Sequence, residues 1–170
     1  GALEATEKLF WDFCDNYLEI VKGRAYSADN KSAVSSLMLS IDLFCLMFAP
    51  FLVFITEEVY QARPWGTDTN SIHVQLYPTA DSYVSFGTSY DLYTAVVSVV
   101  EKVRKMKSEQ QKSVKTPVLS LIIRGRDTDL KLVSTAQNDL KKVLNIVSED
   151  ITYETNDEDL ELKSLELGSE

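Results

Sequence analysis

The sequence predicts a mainly α fold, a helical bundle followed by a small α/β appendage, on three observations. Apolar residues recur at three- and four-residue spacing through the first sixty positions, Pro117 to Arg124 is rich in β-branched residues, and the order from residue 89 onward reads helix, strand, helix, strand. Leu9, Phe10, Phe13, Cys14, Tyr17, Leu18 and Val21 form the stripe of an amphipathic helix from about Leu3 to Lys22. Gly23 stands where a helix end often takes positive φ, so the chain is expected to turn at Gly23-Arg24. Ser27-Ala-Asp-Asn30 offers capping side chains to a second helix, Lys31 to Phe48, apolar on more than one side. Pro50 breaks that helix, and Phe51 to Gln61 reads as a third, with Phe51, Phe54, Ile55 and Val59 on one side and Glu57-Glu58 on the other. Arg63 to Ser71, with Pro64, Gly66, Asp68 and Asn70, is a loop, and Ser71 to Pro78 alternates like a short extended segment.

The appendage begins with a helix from Ser89 to about Gln110, buried through Leu92, Ala95, Val96, Val99, Val100, Val103 and Met106. Pro117 to Arg124, bounded by Gly125, is the clearest strand. Leu130, Val133, Ala136, Leu140, Val143 and Leu144 define a further helix, and Ile151 to Glu154 is placed beside the first strand. The division expected is a bundle over residues 1–84 and an appendage with an acidic tail over residues 85–170. That tail has two readings, a last strand through Leu160, Leu162, Leu165 and Leu167 or a loose end.

Composition excludes several classes. The chain has 170 residues, 45% hydrophobic and 25% charged, which is neither disordered nor disulfide-dense. No uninterrupted apolar run reaches the roughly 18 residues of a membrane span, and no secretory signal opens the chain, so a soluble, cytoplasmic protein with no membrane partner is expected. Cys14 and Cys45 sit in apolar helical patterns and read as buried thiols. The net charge of −9 is unevenly spread: residues 1–80 carry five basic and ten acidic residues, residues 81–148 eleven and seven, and residues 149–170 one and nine. A local patch, not the total, decides whether a phosphate backbone can approach, because charges beyond about 10 Å are screened.

No catalytic constellation is visible. The single histidine, His73, lacks a partner motif, and no phosphate loop, dinucleotide fingerprint or nucleophile elbow occurs. Two cysteines without CxxC spacing and one histidine give no metal site. Glu57 and Glu58 diverge by about 100° on a helix and suit a solvated face or an interdomain contact. What remains is cationic. Lys102, Arg104, Lys105, Lys107, Lys112 and Lys115 lie within fourteen residues, with Glu109 the one acid among them, and a persisting helix would align them as a stripe along phosphates. A solvated helix end, complementing the dipole, is the alternative. A second, smaller site would combine Lys22 and Arg24 with Arg63 and Trp65, the indole either stacking on an unpaired base or packing on the bundle.

Beyond periodicity, Trp11-Asp-Phe-Cys-Asp-Asn-Tyr-Leu-Glu-Ile-Val-Lys22, continuing to Tyr26, resembles the start of the anticodon-binding domain of valyl-tRNA synthetases. Phe48-Ala-Pro-Phe-Leu-Val-Phe-Ile-Thr-Glu-Glu-Val-Tyr-Gln61 is similar to the Pro-Phe…Thr-Glu-Glu-aromatic helix shared with the isoleucyl, leucyl and methionyl enzymes, and Ser71 to Pro78 to the segment that follows it. Val103 to Gly125 is similar to the arginine-bearing helix, loop and strand of the C-terminal appendage. Asn16 and Tyr60 stand where tryptophan is common, which leaves any stacking role at position 16 unassigned. Lys105-Met-Lys-Ser108 only superficially resembles the Lys-Met-Ser-Lys-Ser loop of class I synthetases, with the order exchanged and the residues on a helix.

The resemblance implies a fragment without a catalytic site that recognises the anticodon stem-loop of tRNA, while the ATP and Mg of the aminoacylation reaction belong to a catalytic domain elsewhere in the same polypeptide. It implies phosphate contacts from Lys22, Arg24 and the Lys102 to Lys115 cations, with Asp12 and Asp15 either accepting from exocyclic amines or keeping the helix solvated. The alternatives are the isoleucyl counterpart and a helical protein-interaction module unrelated to RNA.

Overall fold

A computed structural model describes residues 1–27, 30–66, 70–77, 79, 90–149 and 151–169. The chain divides into two compact units, Gly1–Val84 and Ser85–Glu170; the boundary itself lies outside the described residues.

In the first unit, α1 (Ala2–Asp12) continues through a π-helical turn (Phe13–Tyr17) into α2 (Leu18–Ala25). The helix passes straight through Gly23, correcting the expected turn there: Tyr26 N–H still donates to Lys22 O at 3.1 Å, and no described glycine has positive φ. One extra residue in the π turn shifts the phase of the apolar stripe. Leu9 is therefore exposed, Asn16 is buried with its amide donating to Asp12 Oδ1 at 3.0 Å, and Ile20 and Val21 reach the core. Asn30, the last of the predicted capping residues, caps α3 (Lys31–Phe48) by accepting from Ala33 N–H at 3.1 Å; Ala28 and Asp29 lie outside the described residues. Phe10 and Phe13 meet Phe44 edge-on at 5.3 and 5.1 Å, which seams α1 and the π turn to α3.

Pro50 lies in the turn that ends α3, and α4 runs Val53–Gln61, two residues shorter than predicted. Thr56 and Tyr60 form its inward face, whereas Phe51, Phe54, Ile55 and Val59 are exposed. Tyr60 packs with Cys45, Ala49 and Ile72 in a small core. Ile72 belongs to a 3₁₀ turn (Ile72–Val74), not to the extended segment expected from residue 71; Gln75 after it is extended, and Pro78 lies outside the described residues. Both cysteines are free thiols, Cys45 buried and Cys14 half-buried. With a mean hydropathy of 1.5 over 18 residues, α3 is long and apolar enough to cross a membrane, a threshold the run-length reading of the sequence did not register. Its polar groups are used inside the bundle, since Asp42 is bonded to Arg63 and Trp65.

The second unit is built on α5 (Tyr90–Glu109), β1 (Val118–Gly125), α6 (Asp127–Thr135), α7 (Gln137–Leu144), β2 (Thr152–Thr155) and β3 (Glu161–Leu167). The single helix expected after β1 is two, divided at Ala136 with φ −101° and ψ 16°. The sheet order is β2-β1-β3, parallel on one side of β1 and antiparallel on the other. The acidic tail thus forms β3 through Leu162, Leu165 and Leu167; Asp150 and Glu170 are outside the described residues. A register shift between Val118 and Ser120 changes strand parity, so Val118, Leu121 and Ile123 all point inward. Val96, Val99, Val100 and Val103 of α5 and Leu130, Val133, Leu140 and Leu144 of α6 and α7 are likewise nearly inaccessible. Each such side chain contributes about 1.5 to 3 kcal/mol by leaving water.

Candidate functional site

In the first unit the predicted cations part ways. Lys22, in the last turn of α2, is exposed and pairs with Glu19 at 2.6 Å, the sort of surface pair that contributes little and exchanges readily for another anion. Arg24, one residue before the end of α2, is half-buried. Arg63 is turned inward, its side chain only 6% exposed. Its Nη1 meets Asp42 Oδ1 at 2.6 Å, its Nε donates to Tyr60 O at 2.7 Å, and its guanidinium lies 3.5 Å from the centroid of the Tyr60 ring. Burial disfavours the charge, yet the Asp42 and Tyr60 contacts more than offset it and raise the Arg63 pKa. Trp65 Nε1 donates to the same Asp42 oxygen at 3.2 Å. Arg63 and Trp65 are therefore brought together, but on Asp42 and not toward solvent. This corrects the placement of Arg63 on an RNA-facing surface, while Trp65 is half-buried with its indole N–H on Asp42.

The helix end in the second unit is likewise sorted by side. Lys105 is exposed, with Glu109 at 4.0 Å, and Arg104 is half-buried. Lys102 is tied to the Leu160 carbonyl. Lys112 and Lys115 are exposed on the turn between α5 and β1, and among the described residues no carboxylate lies within 4.0 Å of either. Lys107 is not on the surface at all. It is 1% exposed, and its Nζ donates to Val114 O at 2.9 Å, Thr116 O at 2.8 Å and Leu144 O at 3.0 Å, which uses all three ammonium protons. Burial holds its pKa below the ordinary lysine value. The expected stripe is thus corrected: α5 stops at Glu109, Lys107 leaves it for the core, and Lys105, Lys112 and Lys115 form the exposed set.

Three functional neighbours escaped the sequence reading. Asp42 is the anchor of Arg63 and Trp65. Asn145, at φ 55°, donates from its amide to Lys115 O at 2.7 Å. Glu57, read as part of a solvated face or an interdomain contact, is a clasp: Oε2 accepts from Ser71 Oγ and from Ile72 N–H, both at 2.9 Å, and Oε1 accepts from Gln61 at 3.0 Å. The Glu-Glu and Ser-Ile motifs are thereby two halves of one contact. Beside them α1, α3 and α4 leave an open apolar groove of about 340 Å³, lined by Phe10, Phe13, Phe44, Phe48, Ile55 and Val59. Among the described residues no three His, Cys, Asp or Glu side chains group as metal ligands.

The Glu57 clasp predicts a pH signature. Desolvation raises its pKa, but the bonds from Ser71, Ile72 and Gln61 and the nearby His73 outweigh it and hold the carboxyl below 4.5. A carboxyl lowered in the folded state contributes stability that is present above its unfolded pKa and is lost as pH falls through the folded value. Urea midpoints followed by fluorescence of Trp11 and Trp65, both in the first unit, should therefore fall more steeply between pH 5 and pH 3 (about the unfolded carboxylate range) in the native chain than in Glu57→Gln. Parallel curves would show that the clasp is idle.

The comparisons align with this geometry. The family model described as the anticodon-binding domain of tRNA ligase matches residues 1–123, which takes in the bundle, α5, the cationic turn and most of β1. A valine–tRNA ligase of Cutibacterium acnes is 38% identical over 174 aligned residues, covering 99% of this chain and 19% of that protein. One of Bifidobacterium longum is 36% identical over 86% of this chain and 17% of its own length, and one of Anaplasma marginale is 44% identical over 76% and 16%. The chain spans less than a fifth of the length of these relatives. Helical bundle, cation-bearing turn and a family match over 123 of 170 residues agree, and the chain belongs to the anticodon-binding domain family of tRNA ligases.

Proposed function

We propose that this chain is the anticodon-binding portion of a valine–tRNA ligase and docks the anticodon stem-loop of tRNA, with aminoacylation, ATP and Mg²⁺ belonging to the rest of a longer cytoplasmic polypeptide. The observation that carries the reading is the exposed pair Lys112 and Lys115, with no carboxylate within 4.0 Å among the described residues, beside an exposed Lys105, in a chain of net charge −9 that belongs to an anticodon-binding family. Lys112 and Lys115 supply phosphate contacts from a fixed turn, and Lys22 and Arg24 supply others at the end of α2; such contacts set register and orientation without reading sequence. Arg63, Trp65 and Lys107 take no part as contacts, because each already serves the fold. The valyl assignment, over the isoleucyl one, rests on the names of the relatives at 36 to 44% identity.

The test is binding of the 170-residue chain to a valine-tRNA anticodon stem-loop, and to one with altered anticodon bases, across a salt series. Binding should weaken linearly in log salt, and replacing Lys112 and Lys115 together by alanine should weaken both RNAs alike while lowering the slope by about 1.4 to 1.8, two phosphates at roughly 0.7 to 0.9 each. No binding at low salt would overturn the reading, and a loss confined to one RNA would overturn the phosphate role of the two lysines.

A further inference from the structure

We propose that Lys107, together with Asn145, is a positioning pair for the RNA contacts: from inside the second unit they hold three consecutive carbonyls, those of Val114, Lys115 and Thr116, and so set in advance the turn that presents Lys112 and Lys115. This rests on the reading above and assigns it a component that touches no RNA. Hydrogen bonds within the turn accompany these contacts, Lys115 N–H to Ser113 Oγ at 3.2 Å among them. It leaves α5 through Gln111 at φ 54°, with Lys112 N–H donating to Lys107 O at 2.8 Å and Thr116 N–H to Ser113 O at 3.0 Å, and Val114 is 57% exposed, so no apolar burial anchors it. The Lys107 ammonium binds the first and third carbonyls and ties them to Leu144 O at the end of α7; the Asn145 amide binds the second at 2.7 Å. Among the described residues no carboxylate approaches the Lys107 ammonium within 4.0 Å. Carbonyl dipoles balance the charge, including the negative end of α7.

The functional gain is preorganisation. Two cations on a loose loop would have to be ordered when RNA arrives, and that entropy would be subtracted from binding; here the ordering is complete in the free protein. A lysine is suited to this because its three protons can go to three separate segments, whereas methionine of similar length supplies none.

The test uses the full chain and a valine-tRNA anticodon stem-loop. Lys107→Met should release the turn: amide exchange at Lys112 and Thr116 accelerates while that of α5 residues Val99 to Val103 does not. The salt slope should drop toward that of the double variant in which Lys112 and Lys115 are alanine, and affinity should fall about tenfold, the scale of losing two phosphate contacts at moderate salt. The decisive comparison adds Lys107→Met to the double variant. If Lys107 acts through those two lysines, the combination lowers the slope no further; an additional loss would show general damage to the unit and overturn the proposal. Should Lys107→Met fail to fold, Asn145→Gly keeps the left-handed backbone and removes only the amide, and it should move exchange and slope in the same direction by a smaller amount. Native chain that binds with an unchanged slope in both variants overturns this inference alone. Native chain that does not bind RNA overturns the functional reading with it.

Discussion

Asp42→Ala is expected to lower the stability of the first unit by about 3 kcal/mol, at the low end of the cost of stripping one partner from a buried ion pair because Asp42 itself keeps 30% of its side-chain surface exposed. Among the described residues, the change leaves the inward-turned Arg63 guanidinium with the Tyr60 carbonyl and ring, and takes the Asp42 acceptor from the Trp65 indole N–H. Asp42→Asn keeps an oxygen for both donors and removes only the charge, so it should cost about 1 to 1.5 kcal/mol, the difference between a charge-assisted and a neutral hydrogen bond. Trp11 and Trp65 are the only two tryptophans, so fluorescence-detected urea unfolding isolates this unit. A midpoint unmoved in Asp42→Ala would mean that Arg63 finds solvent without cost and that its inward placement carries no energy. It would then also be available to RNA.

Gly125→Val should be the most damaging small change in the second unit, at about 3 kcal/mol, the upper range for overpacking. A Cβ on Gly125 would stand 2.9 Å from Leu160 Cδ2 and 3.2 Å from Leu160 Cα. The methyl can swing aside; the backbone atom cannot move without displacing the segment that leads into β3. Gly125→Ala, with one methyl to place, should cost about half as much. Amide exchange of Leu121 and Ile123 reads the loss, and tryptophan fluorescence should stay at the native value, which makes each of the two substitutions the control for the other. Native-like exchange in Gly125→Val would show that Leu160 is loosely held.

Where a pattern was long and unmixed, the sequence sufficed. The valine stripe of α5, the β-branched run of β1 and the Asn30 cap of α3 appear in the structure with bounds shifted by a residue or so, because each is decided by local chemistry. Gly23 misled because glycine permits a turn without requiring one, and the hydrogen bonds on either side continue through it. Of the site, the concentration of cations was legible and their facing was not. Yet Lys107 lies seven residues after Val100 and four after Val103, on the buried stripe itself, so the spacing already assigned it to the interior and its charge argued otherwise. Asp42 carried a weaker signal: an acid among Met38, Ile41 and Cys45 asks for a partner, but no spacing names Arg63 as that partner. What no spacing conveys is which distant carbonyls would receive a buried ammonium.

The placement of β1 at the centre of its sheet has a consequence for biosynthesis. Both of its neighbours, residues 152–155 and 161–167, come later in the chain, so during translation the most apolar strand emerges with two open edges and waits for the segments up to Leu167 to close them. The first unit pairs segments as they appear and can mature on the ribosome. The second cannot until Leu167 has cleared the exit tunnel, so the late arrival of β3, not the making of α5, is the step that commits this half of the molecule to its native state.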